Sequence, residues 1–192
     1  PAGRIVRVHG VGVDLERFKP ADAETRGGMR ARLGYGADDQ LLFYAAEFNK
    51  NKNQRMLIEA LALLKDEFPR ARLLLAGDGP LRPACEALAD RLGVRERTVF
   101  LGYRQDIADW LPSLDIAVAS SFREGLPVNV LEAMACGLPV VATSNRGHRE
   151  LVQGGKSGWL VPPGDAERMA DRVRRLLLDP RERASFGGAG RA

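Results

Sequence analysis

The chain has 192 residues, 45% of them hydrophobic and 28% charged, and carries a formal net charge of +4. That balance describes one globular domain with room for a real core, and it excludes a disordered chain and a membrane-spanning bundle. No apolar run reaches the roughly 20 residues needed to cross a bilayer, and no signal peptide heads the chain. Cys85 and Cys136 stand alone without metal-ligand spacing, and read as reduced core thiols of a cytoplasmic protein.

The first residue is Pro1 rather than Met, so the chain reads as a piece of something longer. Residues 1–20 hold a short apolar alternation at Ile5, Val6 and Val8, and the Gly- and Arg-rich stretch that follows predicts a connecting helix near 25–33. Short apolar runs predict strands at 41–46, 71–76, 98–101, 115–120, 140–143 and 159–161. Between them, 53–68 carries Met56, Leu57, Ala60, Leu61 and Leu64 at helical spacing, 83–92 does likewise, and a shorter helix is expected around 107–111. A last helix is expected at 166–178, after which Pro180 ends it or opens another, and the glycine-rich stretch 187–190 reads as frayed.

Strands alternating with helices predict right-handed crossovers and a doubly wound parallel α/β sheet with helices on both faces. The expected division is an opening segment with its connecting helix (1–36), a parallel core (37–180) and a tail (181–192). Ligands of such sheets bind beyond the carboxyl ends of the strands, where every suspicious motif of this chain falls. The basic residues are spread along the chain, so a nucleic-acid partner is not expected. One cluster at 168–183 alternates with Leu176, Leu177 and Leu178, as the solvated face of an amphipathic helix does; the alternative is a surface attracted to anionic lipid headgroups.

The most informative stretch is 122–143. It holds Glu124 and Glu132, eight positions apart, with a Gly125-Leu126-Pro127 turn between them and a helix-like run that breaks at Gly137 and Pro139. Proline suits a first helical position because its missing N–H has no partner there anyway. The free N–H groups of that first turn, with the helix dipole, form an anion site. Val130, Leu131, Ala133 and Met134 surround Glu132, which predicts substantial burial and hence a need for partners. Phosphate at the helix tip and hydroxyls at the two carboxylates would suit a sugar nucleotide.

This constellation resembles the Glu-x7-Glu signature of retaining glycosyltransferases of family 4, which have the GT-B fold, and it looks most like the bacterial exopolysaccharide-type members. The resemblance runs on through Ser144-Asn-Arg-Gly-His-Arg-Glu-Leu-Val152 and Gly158-Trp-Leu-Val-Pro-Pro-Gly-Asp165, and back through Gly77-Asp-Gly-Pro-Leu81, Phe100-Leu-Gly-Tyr103 and Gly10-Val-Gly-Val-Asp-Leu-Glu-Arg-Phe-Lys-Pro20. It implies the Rossmann-like C-terminal half of the enzyme, binding a nucleotide sugar, UDP-linked by expectation, with no metal or other cofactor. No Asp-x-Asp motif is present. The acceptor, a saccharide or a lipid-linked one, would bind an N-terminal domain outside this chain, in the cytoplasm and with peripheral association at the inner face of the membrane allowed.

Residue by residue, the resemblance implies that Glu124 reaches the sugar hydroxyls and Glu132 the ribose, while Gly125, Leu126, Pro127 and Val128 form the turn and helix start against the donor. In the loop Glu47-Phe-Asn-Lys-Asn-Lys-Asn53, alignment back from 57–60 places Lys52 on the family's diphosphate lysine and Glu47 on its arginine. That is a departure, since a carboxylate there repels a diphosphate unless it turns away or meets a cation such as Lys50. Lys52 and Glu124 are therefore the expected catalytic pair, with Gly77, Gly79, Tyr103 and Arg104 completing the donor site. From the residues alone, Gly77 and Gly79 permit either a tight turn or a close ligand approach, and Tyr103 or Arg104 either lies on a base plane or ends an exposed strand.

Other readings fare less well. Gly77-Asp-Gly-Pro80 does not complete a dinucleotide fingerprint because position 82 is Arg, and Gly154-Gly-Lys-Ser157 is no Walker A loop because position 150 is Glu. The only histidines, His9 and His148, lack metal spacing, and His148 reads as part of a surface loop at 145–149. The rival from another class is a nucleotide-binding module with no transferase chemistry.

Overall fold

The computed structural model describes residues 12–192; Ile5, Val6, Val8 and His9 lie outside them. Six strands form one sheet: β1 (Gln40–Ala45), β2 (Ala71–Ala76), β3 (Thr98–Gly102), β4 (Ile116–Ala119), β5 (Val140–Thr143) and β6 (Gly158–Val161). Their order is β3-β2-β1-β4-β5-β6 and every pairing is parallel. Strand residues of both parities are buried, as in a sheet covered on its two faces, so the strands read as apolar runs rather than alternations. The doubly wound parallel architecture is the expected one. The chain order reverses direction between β1 and β4, which opens a crevice at their carboxyl ends.

The helices are α1 (Ala23–Arg32), α2 (Gln54–Leu64), α3 (Arg82–Arg91), α4 (Ile107–Trp110), α5 (Val128–Ala135), α6 (Arg146–Leu151), α7 (Ala166–Leu178) and α8 (Pro180–Arg191). α2 packs on α3 and α7, while α5 packs on α6 and α8. Met56, Leu57, Leu61 and Leu64 of α2 are buried at helical spacing, as read from the sequence. α2 nevertheless ends four residues short of the expected position 68, because the buried Phe68 turns the chain toward β2, its N–H donating to Leu64 O at 2.9 Å.

α1 is held to the segment before β4 by charge. Asp115, just before β4, accepts from Arg26 (2.6 Å), from Arg30 (3.2 Å) and from the Leu41 N–H (2.7 Å). Arg30 is buried and also donates to Ser113 O and Gly36 O. Such a buried cation is tolerable only because its donors are matched.

Two expectations are corrected at the C-terminal side. Residues 187–190 are not frayed but lie within α8, which takes up the stretch expected as a tail and buries Phe186 and Gly187. Asp179 caps it by accepting from Arg181 N–H (2.9 Å) and Glu182 N–H (3.0 Å), and Pro180 opens the helix rather than only ending α7. Its glycines lower intrinsic helicity, yet packing demands them: a Cβ on Gly187 would lie 1.9 Å from Gly137 O. Arg191 then donates to the carbonyls of Phe18 and Ala135. The arginine cluster is largely engaged by the fold: Arg172 and Arg175 stack on Trp159, Arg174 meets Glu67, and Arg175 also meets Glu182.

The second correction is α6. The stretch expected as a surface loop is a helix capped by Asn145, whose Oδ1 accepts the His148 N–H at 3.0 Å. His148 is buried, and its Nδ1 lies 2.7 Å from the Thr143 carbonyl, to which the Nδ1–H tautomer donates. Burial pushes its imidazole below the ordinary value. Both cysteines are buried free thiols, with Cys136 pushed up to about 12 by desolvation.

Candidate functional site

Two loops at the carboxyl edge of the sheet build the site. The first leaves β1 and runs to α2; the second leaves β4 and runs to α5. In the first, Asn53 takes the left-handed conformation (φ 50°), which asparagine accommodates better than most residues. Lys52 N–H donates to Asn49 Oδ1 at 3.0 Å, and the buried Gln54 donates to Glu47 O at 2.9 Å. This internal bonding aims the Lys52 side chain across the switch point. There Lys52 Nζ meets Glu124 Oε1 at 2.6 Å, with the lysine side chain 25% exposed and the glutamate 11%. The two residues expected to be catalytic, 72 positions apart, thus form one partly buried ion pair.

The Glu124 loop is supported from behind. Ser121 O accepts from Thr143 Oγ1 (2.5 Å) and Asn145 Nδ2 (2.9 Å), and Tyr44 OH bonds Ser121 Oγ at 2.6 Å. Gly147 N–H donates to Glu124 O at 3.2 Å. The approach is so close that a Cβ on Gly147 would lie 2.6 Å from Gly125 O and 2.9 Å from Glu124 Cβ.

α5 starts one residue later than expected: Pro127 is its cap rather than its first residue, and its carbonyl accepts the Val130 and Leu131 N–H groups. Its first turn is tied to β1 by Asn129 Nδ2, which donates to Ala45 O at 2.9 Å. Glu132 is half-buried, and desolvation raises its carboxyl above the ordinary range, an effect opposed by Arg17. Among the described residues no hydrogen-bond donor meets its carboxylate.

A cleft of about 410 Å³ opens at the carboxyl ends of β1, β2 and β3, and Lys52, Glu124 and Glu132 do not line it. Its walls are Ala45, Ala46 and Glu47 after β1, Ala76, Gly77 and Asp78 after β2, and Tyr103, Arg104 and Ile107 after β3. The size and mainly apolar lining suit a flat ring. Tyr103 is 76% exposed at the rim. Arg104 is less free than the sequence suggests: it forks onto Asp106, whose carboxyl it holds below the usual range, and it stacks over Trp110 at 5.1 Å.

The glycines after β2 are explained by the fold. A Cβ on Gly77 (φ 131°) would sit 2.1 Å from Ala46 O, and one on Gly79 (φ 149°) 2.6 Å from Phe48 O. The two loops therefore touch backbone to backbone, and Gly79 serves that contact rather than lining the cleft. Glu47 does not meet Lys50. It is exposed, and its carboxylate accepts from Asn49 Nδ2 at 2.8 Å because that amide lies two residues away in the same turn.

The structure brings together Lys52 with Glu124, and Gly77, Tyr103 and Arg104 with Glu47. Sequence reading passed over Asn51, Asn129, Ser120 and Ser121, which tie the loops together. The only signal was the Asn-Lys-Asn-Lys-Asn run, which also serves as an ordinary helix start. Among the described residues there is no group of three His, Cys, Asp or Glu side chains able to hold a metal ion, and no helix long and apolar enough to cross a membrane.

Residues 39–179 match the family model described as "Glycosyl transferases group 1". The "Putative glycosyltransferase EpsD" of Bacillus subtilis (strain 168) is 43% identical over the whole chain, which spans 50% of that protein. A GDP-mannose-dependent α-(1-6)-phosphatidylinositol monomannoside mannosyltransferase of Mycolicibacterium smegmatis is 38% identical over 94% of the chain and 49% of its own length. Among solved structures, Anabaena HepE in complex with UDP and glucose superposes with a TM-score of 0.86 at 28% identity, over 94% of this chain and 49% of that one. The C-terminal domain of a group 1 glycosyl transferase, LpcC of Francisella tularensis, superposes at 0.84 with 25% identity, over 94% and 95% of the two chains. The chain thus spans about half the length of the full-length relatives it matches.

Proposed function

The chain belongs to the group 1 glycosyltransferases, and on that premise we propose that it forms the donor-binding half of a retaining family 4 enzyme that moves a hexosyl unit from a UDP-linked sugar to a saccharide or lipid-linked acceptor. Its fold is that of GT-B C-terminal domains. The observation that carries the reading is the meeting of Lys52 and Glu124 at 2.6 Å at the switch point, with an apolar cleft along the neighbouring ends of β1, β2 and β3. In a sugar nucleotide the diphosphate adjoins the sugar, so a cation for one and an acceptor for the other must lie side by side.

On this reading the base enters the cleft against Tyr103, and the ribose hydroxyls reach Glu132. The diphosphate lies between Lys52 and the free N–H groups of the first turn of α5, and Glu124 accepts from the sugar. As the sugar departs, negative charge grows on the diphosphate, and the fixed ammonium and helix N–H groups stabilise it without a metal. Glu124 orients the donor rather than serving as one of a hydrolase's acid/base pair. Acceptor contacts come from an N-terminal half, in the cytoplasm.

UDP is favoured because HepE was solved with UDP and with UDP-glucose; the mannosyltransferase relative named for GDP-mannose makes GDP the second candidate. Melting curves of the chain with UDP-, GDP- and ADP-sugars test this, with the UDP-sugar giving the largest upward shift. Lys52→Ala should then weaken UDP by about ten- to a hundredfold, the worth of a hydrogen bond to a charged group, and leave uridine binding unchanged. A silent Lys52→Ala would refute the diphosphate role.

A further inference from the structure

We propose that Asn51 is a positioning residue that holds Lys52 and Glu124 in register, an inference that rests on the donor reading of those two side chains. They come from loops that follow different strands, so the bonding within either loop leaves their separation open. Asn51 immediately precedes Lys52, and Arg123 immediately precedes Glu124. The Asn51 side chain engages the Arg123 backbone in both senses: Nδ2–H donates to Arg123 O at 2.9 Å, and Oδ1 accepts the Arg123 N–H at 3.1 Å. The Asn51 carbonyl accepts the Phe122 N–H at 2.8 Å, and Ser120 Oγ donates to Lys52 O at 2.7 Å. Four hydrogen bonds therefore bridge the loops, each made by Lys52 or by its neighbour.

The residue type follows from the geometry. A primary amide presents a donor and an acceptor on two atoms of the same carbon, close enough together to meet the N–H and C=O of a single residue. An aspartate would keep the acceptor and set a second carboxylate oxygen against the Arg123 carbonyl. Asparagines in turns usually bond the backbone a residue or two away. Asn49 stays local too, accepting the Lys52 N–H three residues on, and Asn53 makes no side-chain cap at all. Asn51 instead reaches 72 positions along the chain. Removing it frees the Glu124 loop to shift against Lys52, and a misplacement of about 1 Å at a reacting centre costs on the order of a hundredfold in rate.

The test uses the 192-residue chain with UDP-glucose as probe. Asn51→Ala and Asn51→Asp should each weaken UDP-glucose about five- to tenfold, as expected for losing one or two neutral hydrogen bonds. That loss should vanish in the Glu124→Gln background, since side chains acting through one contact are not additive. With lysine labelled by ¹⁵N, the Lys52 ammonium signal, assigned by its absence in Lys52→Ala, should be present in the parent and broadened away in both Asn51 variants. A lowered melting temperature with unchanged affinity and an intact ammonium signal would make Asn51 a purely structural residue and overturn the proposal. If Lys52→Ala weakens binding while the Asn51 variants bind like the parent, the donor reading stands and this proposal alone falls. If the parent and Lys52→Ala are both blind to UDP-glucose, the donor reading fails and the proposal with it.

Discussion

Glu124→Gln keeps the volume of the side chain and removes one charge, and its two expected consequences run in opposite directions. The carboxylate holds the Lys52 ammonium at 2.6 Å in a partly exposed setting. Two unit charges about 4 Å apart attract by about 4 kcal/mol at an effective dielectric near 20, a ceiling that exposure and side-chain ordering bring down toward about 1 kcal/mol. In the unliganded chain this attraction opposes the transfer of Lys52 to a diphosphate. Lifting it should tighten UDP by about fivefold, at 1.4 kcal/mol per factor of ten, and high salt should shrink the gain. The sugar arm loses a hydrogen bond to a charged acceptor, about 1.5–3 kcal/mol. After subtraction of the lysine gain, UDP-glucose should weaken by roughly two- to thirtyfold. Calorimetric titration of both ligands at low and high salt reads both arms. Equal weakening of UDP and UDP-glucose would mean that Glu124 only holds its loop, and tightening of both would remove it from the sugar.

Glu132→Gln should weaken UDP more than free pyrophosphate, because the ribose hydroxyls are the groups assigned to it; equal losses by calorimetry would dismiss that role. The same variant has a stability signature with a definite sign. Desolvation raises the folded carboxyl above its ordinary 4.5, so the native state holds its proton longer than the unfolded chain and stability falls as pH rises through that window. The variant should therefore melt higher than the parent at neutral pH, with the difference gone below the unfolded value. Glu47→Arg should tighten UDP at low salt by placing a fork of donors where an exposed carboxylate now stands; no change would mean that this loop end does not face the diphosphate. Gly187→Ala should destabilise the fold by about 1–3 kcal/mol, as overpacking does, since its new Cβ would collide with Gly137 O; an unchanged melting temperature would show that α8 can shift.

The strands were legible because each is a short apolar run bounded by Gly, Pro or charge, and α7 because its buried positions recur at helical spacing. α8 was not, because glycine-rich sequence argues against helix until one sees the Gly137 backbone that Gly187 must clear. α6 was missed because its signal was a cap, Asn145, followed by only six residues, too few for periodicity. Its burial of His148 is a tertiary fact, made by the strand end at Thr143. Glu124 and Glu132 could be singled out from their motif and spacing, and Lys52 from the family resemblance. That Lys52 and Glu124 touch could not, since the contact joins loops 72 positions apart and depends on β1 and β4 being neighbours. Pairing Glu47 with Lys50 followed charge, whereas the turn delivers the Asn49 amide first.

α5 is a strut clamped at both ends. At its front, Asn129 bolts the first turn to the end of β1; at its back, the Arg191 guanidinium and the Gly187–Gly137 contact brace the last turn. Eight helical residues span about 12 Å, and a helix that short transmits an axial push with little bending. A fault at the rear brace would therefore surface at the front, at the Pro127 and Val128 backbone that the donor reading sets against the ligand. The far end of the molecule thus sets the alignment tolerance of the mouth, and drift at position 187 would be read as a defect of binding as well as of folding.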